Sequence, residues 1–330
     1  MNFLSRFATS LLVLLALALA AAPAHAAPTK VTIANTSTGV QLVLPWIALK
    51  QGFYAKHGLD VTIVQVNGDA GSIPALVSGS VPFAIMTAAP ALIANAKGGN
   101  IRIISPLSTY PQQIVMRKAL ADKLGITAES PLAKRLDALR GRNVGILDVG
   151  GGLQYTLAVV LSTNGIDPSA VPVVGITPYS AELAALRRGA IDVIAPAVPF
   201  GQMAVAEGIG VMIANVWGGE VPSVRGTPFE LMSVTEKWGT AHAATVAAMQ
   251  AALQDAMNYL HSNLAGAAAL AHDWQPKIPI AIQTAAIGNG GGYPTSTAIT
   301  EAQFAAMQTF AKLSGAKTSS VNYAASVWGK

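Results

Sequence analysis

The chain has 330 residues, with 21 basic and 16 acidic side chains and no cysteine. The lack of cysteine excludes disulfides, thiolate catalysis, zinc–cysteine sites and a lipid anchor on an N-terminal cysteine. The basic residues form no run and do not alternate with aromatic residues, so no nucleic-acid partner is expected. The net charge of +5 favours an anionic ligand only weakly.

The N-terminus has the pattern of a secretory signal peptide. Arg6 precedes an apolar run at 11–22, and Ala24-His25-Ala26 fits a small-x-small cleavage site. The run is too short to span a bilayer, and Pro23 ends it. We therefore expect cleavage after Ala26 and a soluble periplasmic protein.

Strands and helices alternate through the first part of the mature chain. Nearly continuous apolar strands of this kind indicate a parallel sheet that is covered on both faces. Strands are predicted at 31–34, 60–66, 83–86 and 101–105, with helices at 42–56, 73–77 and 87–97 between them. Between the two halves, the pattern predicts a crossing strand at 113–117 and a helical segment at 119–140 that is broken near Ser130.

The alternation then starts again, and the second run resembles the first. Further strands are predicted at 144–147, 171–175, 191–195 and 211–215, with helices at 153–164, 180–188 and 200–207. Matching landmarks recur at similar separations, such as Gly79 with Gly189 (110 residues) and Pro90 with Pro199 (109 residues). This repeat predicts two similarly built α/β lobes.

The remaining chain is predicted to be helical, with segments at 235–263, 264–273, 280–287 and 300–313. Thr300 and Gln303 form a capping-box pattern at the start of the last segment. We expect this tail to pack on the first lobe, so that 27–109 and 232–330 form lobe I and 110–231 forms lobe II.

A glycine loop at 150–152 follows the strand at 144–147 and opens a helix. Backbone N–H groups at such a helix start are free to bind a ligand, and glycine leaves the loop open. A dinucleotide fingerprint is excluded by Tyr155, which stands where a small residue is needed, and no Gly-Lys-Ser/Thr of a P-loop follows. The loop is either a plain turn or one wall of a binding site.

Five stretches of the chain carry a family pattern: 48–61, which contains Gly52-Phe53-Tyr54, and 75–84, 139–145, 186–192 and 196–206. In these stretches the sequence resembles the solute-binding proteins of ABC importers for nitrate, sulfonates, taurine and thiamine-pyrimidine precursors. The resemblance implies the two-lobed type II periplasmic-binding fold, with a mostly parallel sheet flanked by helices in each lobe and two crossover segments between the lobes. It also implies a small-molecule ligand in the interlobe cleft, delivery to a permease in the inner membrane, and a monomeric protein.

The same resemblance implies which loops line the cleft. Lobe I would contribute the loops after its first three strands, and lobe II the glycine loop and the loop around Pro199. The implied ligand-binding residues are Thr36, Ser37, Thr38, Gln41, Gly71, Ser72, Thr87, Ala88, Tyr110, Gly150, Gly151, Gly152, Gln154, Tyr155, Pro199 and Phe200. Asp69 is interpreted as a helix cap.

The ligand is expected to be a small organic molecule, either an anionic sulfonate or carboxylate or a heteroaromatic compound. The glycine loop has no hydroxyl to hold a small oxyanion. No cofactor or metal is expected, because His-Glu-x-x-His and Gly-x-Ser-x-Gly are both absent. Two alternatives to a transport protein remain: a sensor for a membrane kinase, and an enzyme of thiamine-pyrimidine synthesis. The second is disfavoured because that chemistry uses cysteines.

Overall fold

The computed structural model describes residues 27–288, 290–318 and 321–330. The predicted signal peptide and its cleavage site after Ala26 lie outside these residues. The strands of the described chain are β1 Thr29–Asn35, β2 Leu59–Gln65, β3 Phe83–Thr87, β4 Ile101–Ser108, β5 Gln113–Arg117, β6 Val144–Ile146, β7 Val173–Gly175, β8 Val193–Ile194, β9 Gly210–Asn215 and β10 Glu230–Thr235.

The helices lie between the strands and, after β10, in a helical C-terminal region. None of the described helices combines the length and apolar character needed to cross a bilayer. They are α1 Val43–Lys50, α2 Phe53–Lys56, α3 Gly68–Val77, α4 Ala88–Ala96, α5 Lys118–Leu124, α6 Leu132–Asp137, α7 Gly152–Ser162, α8 Tyr179–Arg187, α9 Phe200–Ala206, α10 Glu236–Ala241, α11 Ala243–Ser262, α12 Leu264–Trp274, α13 Ile280–Ile287, α14 Glu301–Leu313 and α15 Tyr323–Ser326.

The strands form two sheets with the same internal order. The first sheet runs β2-β1-β3-β10-β4 and the second runs β7-β6-β8-β5-β9. In each sheet one strand is antiparallel to its two neighbours, and the other four run in one direction. The predicted α/β fold with two mostly parallel sheets is therefore confirmed, and we call the first sheet with its helices lobe I and the second lobe II.

The antiparallel strand of each sheet is where the chain crosses between lobes. β5 follows directly on β4 of lobe I but lies between β8 and β9, whereas β10 follows β9 but lies between β3 and β4. The sequence pattern assigns no element to 216–234, so β10 was missed. It begins at Glu230, two residues before the predicted second segment of lobe I. The exact lobe boundaries stay a prediction.

The C-terminal helix α14 joins the cores of the two lobes. It begins with the predicted capping box, in which Thr300 and Gln303 bond each other's backbone. It packs against α4 of lobe I and α7 of lobe II. Its Phe310 stacks on Tyr110 of the first crossover, with ring centroids 4.4 Å apart. α14 thus packs on the helices that follow β3 and β6, one in each lobe.

Candidate functional site

The carboxyl ends of the parallel strands in the two lobes face each other, and we call the space between their loops the cleft. In open α/β sheets ligands bind at this edge, beside helix N-termini. The lobes touch here: the backbone N–H of Val40, after β1, donates to the carbonyl of Val198, after β8, over 3.2 Å. The structure is therefore a closed arrangement of the two lobes.

Asp69 of lobe I reaches the start of a helix in lobe II. Its carboxylate accepts hydrogen bonds from the backbone N–H of Thr87 at 2.7 Å, from the Thr87 hydroxyl, and from the N–H of Gly152 at 3.2 Å. Gly152 is the first residue of α7. Burial raises the pKa of Asp69, and these hydrogen bonds oppose the rise. The residue interpreted as a cap in the sequence thus contacts the opposite lobe.

Asp148 of lobe II makes the reverse contact. The backbone N–H groups of Asp69 and Ala70, in the first turn of α3, hydrogen-bond to its carboxylate. Burial, followed by repulsion from Asp69, raises the pKa of Asp148 to about 7. Each lobe therefore places a carboxylate at a helix N-terminus of the other lobe, where the helix dipole favours negative charge.

The glycine loop provides the space for these contacts. A Cβ at Gly151 would lie 2.1 Å from Oδ1 of Asp148, and one at Gly152 would lie 2.4 Å from the Thr87 hydroxyl. A Cβ at Gly68, on the facing helix, would lie 2.4 Å from Oδ2 of Asp148. The sequence led us to expect an open loop. In the structure the space beside the glycines is filled by side chains of the protein.

A second group of polar residues lies beside the two aspartates. Tyr179, the first residue of α8, hydrogen-bonds with Ser37 of lobe I and packs at a tilt against Phe200, with ring centroids 4.8 Å apart. Burial raises the pKa of Tyr179, and the nearby carboxyls of Glu182 and Glu230 raise it further. Tyr179 therefore links lobe II to the loop after β1 and lies next to two more acidic groups.

Glu182 and Glu230 are buried carboxyls. Burial raises the pKa of both well above the ordinary value for glutamate. For Glu230, repulsion by Asp69 and Asp148 adds to this, and a hydrogen bond from Gln41 opposes it. The amide of Gln41 also donates to the Ser37 hydroxyl at 3.1 Å. Both glutamates favour the neutral form in the empty protein.

Several buried oxygen atoms around the cleft have no hydrogen-bond partner among the described residues. A buried polar atom without a partner is uncommon in a folded protein and points to an interaction that is still to be made. These atoms are the Thr36 hydroxyl, Oε1 of Gln41, the Ser72 hydroxyl, the Tyr110 hydroxyl, both carboxyl oxygens of Glu182 and Oε2 of Glu230.

Some of the predicted site residues are thus brought to the cleft, and others are engaged elsewhere. Gln154 turns back to accept from the N–H of Gly150 at 2.7 Å. The open side of Gly71 faces Val66 of its own lobe at 3.1 Å. The other predicted residues lie at the cleft or in the loops around it: Thr36, Ser37, Thr38, Gln41, Ser72, Thr87, Gly150, Gly151, Gly152, Pro199 and Phe200. Tyr155 lies near Asp69, whose charge raises the pKa of Tyr155.

Ala88 and Tyr110 lie at the junction between the cleft and the crossovers. The N–H of Ala88 donates to the carbonyl of Phe229 at 2.9 Å. The ring of Tyr110 packs at a tilt between those of Phe229 and Phe310, with centroids 4.8 and 4.4 Å away. Tyr110 also lines a cavity of about 420 Å³ between the two crossover segments and the loop after α13, together with Trp217. The cavity lies at the crossover side of the cleft, since Thr109 follows the end of β4 and Val216 follows the end of β9.

Sequence reasoning missed Asp148, Tyr179, Glu182 and Glu230 and misjudged Asp69. The repeat contained a signal for two of them. Its offset of 110 residues, from Gly79 to Gly189, places Tyr179 at the position of Asp69 and Glu182 at the position of Ser72. Ser72 and Glu182 are both fully buried and unpartnered. Glu230 carried no such signal, because its strand was not recognised.

Within the described residues, no group of three or more His, Asp or Glu side chains is placed to hold a metal ion. The site is instead built from paired helix N-termini, buried carboxyls and aromatic rings.

A model of the NMT1-like family matches residues 24–272, most of the chain. The chain belongs to the NMT1-like family. Over 224 residues, 64% of its length, it is also 27% identical to the bicarbonate transport ATP-binding protein CmpC of Synechocystis. The chain spans about a third of the length of that curated relative, 32%.

Solved structures share the fold of this NMT1-like chain. A Bordetella bronchiseptica protein superposes with a TM-score of 0.78 at 22% identity, covering 91% of this chain and 94% of that one. The alkanesulfonate-binding protein SsuA of Xanthomonas axonopodis, bound to MOPS, gives 0.70 at 19% identity, covering 87% and 93%. The periplasmic nitrate-binding protein NrtA of Synechocystis gives 0.66 at 16% identity, covering 83% and 73%.

Proposed function

We propose that the chain is the solute-binding component of an ABC importer. It captures a small organic solute between its two lobes and delivers it to a permease in the inner membrane. The observation that carries the proposal is the reciprocal contact across the cleft, in which Asp69 and Asp148 each bind a helix N-terminus of the opposite lobe. Such a closed arrangement, built on two crossover segments, is suited to hinge open and shut around a ligand.

The family and the fold neighbours support this role. The two named structural neighbours bind an alkanesulfonate and nitrate according to their descriptions. The curated relative is a component of bicarbonate transport. The N-terminal pattern supports export to the periplasm, where such a receptor would meet its permease. The absence of cysteine argues against the alternative of thiamine-pyrimidine synthesis.

The test is reconstitution with candidate ABC permease–ATPase complexes of the same organism. Purified protein with a stabilising solute is expected to raise the ATPase rate of the permease in proteoliposomes above the rate without solute. Binding of the liganded protein to the outer domain of a neighbouring membrane kinase, with no effect on any ATPase, would instead support the sensor alternative.

A further inference from the structure

Four carboxyl groups lie buried around the cleft. Asp69 and Glu230 come from lobe I, and Asp148 and Glu182 come from lobe II. Asp69 raises the pKa of Asp148 and of Glu230, and both glutamates raise the pKa of Tyr179. The four groups therefore share one electrostatic environment, to which both lobes contribute.

In the part of the chain that the structure describes, basic side chains do not neutralise this group. The interactions that lower the pKa values of Asp69, Asp148 and Glu230 are hydrogen bonds and not ion pairs with basic side chains. Two partly buried arginines of lobe II are paired with other carboxylates: Arg117 bonds Asp192 at 2.7 Å, and Arg135 bonds Glu220. A cationic ligand would supply the counter-charge that these carboxyls lack and would favour their ionised form.

The unpartnered atoms give a second, independent indication. Both oxygens of Glu182, whose surface is completely buried, lack a partner, as do Oε2 of Glu230 and Oε1 of Gln41. An amide oxygen and an ionised carboxylate only accept hydrogen bonds, whereas a neutral carboxyl also has one O–H donor. A cation beside the glutamates would favour their ionised form, which only accepts. The complement of these atoms is a ligand that brings N–H donors.

The helix N-termini, which would otherwise suit an anion, are already occupied. The N–H of Gly152 at the start of α7 donates to Asp69, and the first turn of α3 donates to Asp148. An anionic ligand would have to displace these carboxylates and then remain among the others. These contacts do not involve the unpartnered oxygens of Glu182, Glu230 and Gln41, which can accept hydrogen bonds from a ligand.

We propose that the ligand of this solute receptor is a planar nitrogen cation that presents N–H donors, such as an amidinium or a guanidinium. The proposal rests on the proposed receptor function and defines its substrate class. Glu182, Glu230 and Gln41 accept the donors. The neighbouring rings of Tyr179 and Phe200, tilted by 38° to each other, provide the aromatic surface that a cation favours.

Two pairs of probes with matched shape and opposite charge test the proposal: benzamidinium with benzoate, and guanidinium with nitrate. Each is added to the purified mature protein at millimolar concentration, and the midpoint of thermal unfolding is measured. Benzamidinium or guanidinium is expected to raise the midpoint in a saturable way, whereas benzoate and nitrate leave it unchanged. Stabilisation by either anion, or by neither cation, overturns the proposal.

Substitutions of the cleft glutamates test where the cation binds. Glu182→Gln and Glu230→Gln keep the shape of the side chain and remove its charge, and each is expected to weaken binding of the stabilising cation about tenfold or more. Glu207→Gln, which removes a surface carboxylate paired with Arg187, serves as the matched control and retains the affinity. Circular dichroism verifies that each variant is folded. Unchanged affinity in both folded cleft variants contradicts the proposal.

The pH dependence of affinity gives a further readout. A bound cation favours the ionised form of the carboxyls around it, so binding releases protons and strengthens between about pH 6 and about pH 8. The titratable groups that face the ligand are Asp69, Asp148, Tyr155, Tyr179, Glu182 and Glu230. Calorimetry in buffers of different ionisation enthalpy measures the protons released, and proton uptake on binding would contradict the proposal.

The outcomes separate this inference from the proposed function. If benzoate or nitrate binds and stimulates the permease, the charge of the ligand is assigned wrongly but the receptor function stands. If a cation binds and the permease does not respond, the ligand class stands and the transport function fails.

Discussion

The positions of Asp69 and Asp148 leave room only for glycine at neighbouring positions of the cleft. Each carboxylate lies against a helix N-terminus of the other lobe, and the glycines at 68, 151 and 152 leave no side chain in the way. Glycine between a strand and a helix was predicted from the sequence as one side of a site. Its partner was not, because the aspartate that fills the space becomes visible only once the two lobes are placed together.

Gly151→Ala is predicted to destabilise the empty protein. The new methyl would lie 2.1 Å from the Asp148 carboxylate, so this side chain must leave the N-terminus of α3. The expected loss is on the order of 1–3 kcal/mol, as for other overpacked positions. Urea unfolding measures it. The control is Gly175→Ala, where the nearest atom is 3.6 Å away and stability should change little. Equal effects at both positions would contradict the assigned contact.

The raised pKa of Asp148 predicts a pH-dependent stability. Its pKa is about 7 in the folded protein, against an ordinary value near 3.8. The folded state thus binds a proton that the unfolded state has released, so stability is greatest below about pH 4 for this group and is lost as pH rises through about 7. Asp69, Glu182 and Glu230 act in the same direction, since their pKa values are raised as well.

Chemical denaturation of the empty protein at about pH 5 and about pH 8 tests this, with a decrease on the order of a few kcal/mol expected at the higher pH. Asp148→Asn should reduce the decrease. Asp122→Asn removes an exposed salt bridge with Lys118, and the decrease in stability between the two pH values should then equal that of the parent protein. A stability that rises with pH over this interval would contradict the described environment of the cleft carboxyls.

At the scale of elements, the order of strands and helices could be predicted through β9 because each strand is a short apolar run between turn residues. The start of α3 could not. Residues 68–72 have the composition of a loop, yet the helix begins at Gly68, where Asp148 of the other lobe binds its first turn. β10 was missed because Glu230 interrupts the apolar pattern of a strand that is buried between β3 and β4.

A prediction at the scale of elements concerns Thr300, the N-cap of α14. Thr300→Ala removes the hydroxyl that accepts from the N–H of Gln303 at 3.1 Å. The expected cost is about 1 kcal/mol, typical of a lost N-cap, and the thermal midpoint should fall by a few degrees. Thr309→Ala, on an exposed turn of the same helix, is the control with little effect. Equal midpoints for the two variants would show that the cap does not stabilise the helix.

At the scale of the whole molecule, the repeat predicted two lobes of one design, and the two sheets have the same strand order. Composition was a poor guide to the site. The net charge of +5 slightly favoured an anionic ligand, but the cleft gathers four carboxyls whose positions depend on how the lobes meet. A charge summed over the sequence contains no information about such a local field.

The most direct test of the solute-receptor account measures whether the lobes close on a solute. Because the chain has no cysteine, nitroxide labels can be attached at Asp60→Cys in β2 and Val174→Cys in β7, both exposed and in different lobes. Pulsed electron resonance then gives the distance distribution between the labels. With the probe that stabilises the protein most, the account predicts a shift to one narrow distance from a broader distribution in the empty protein. A distribution that the probe leaves unchanged would contradict it.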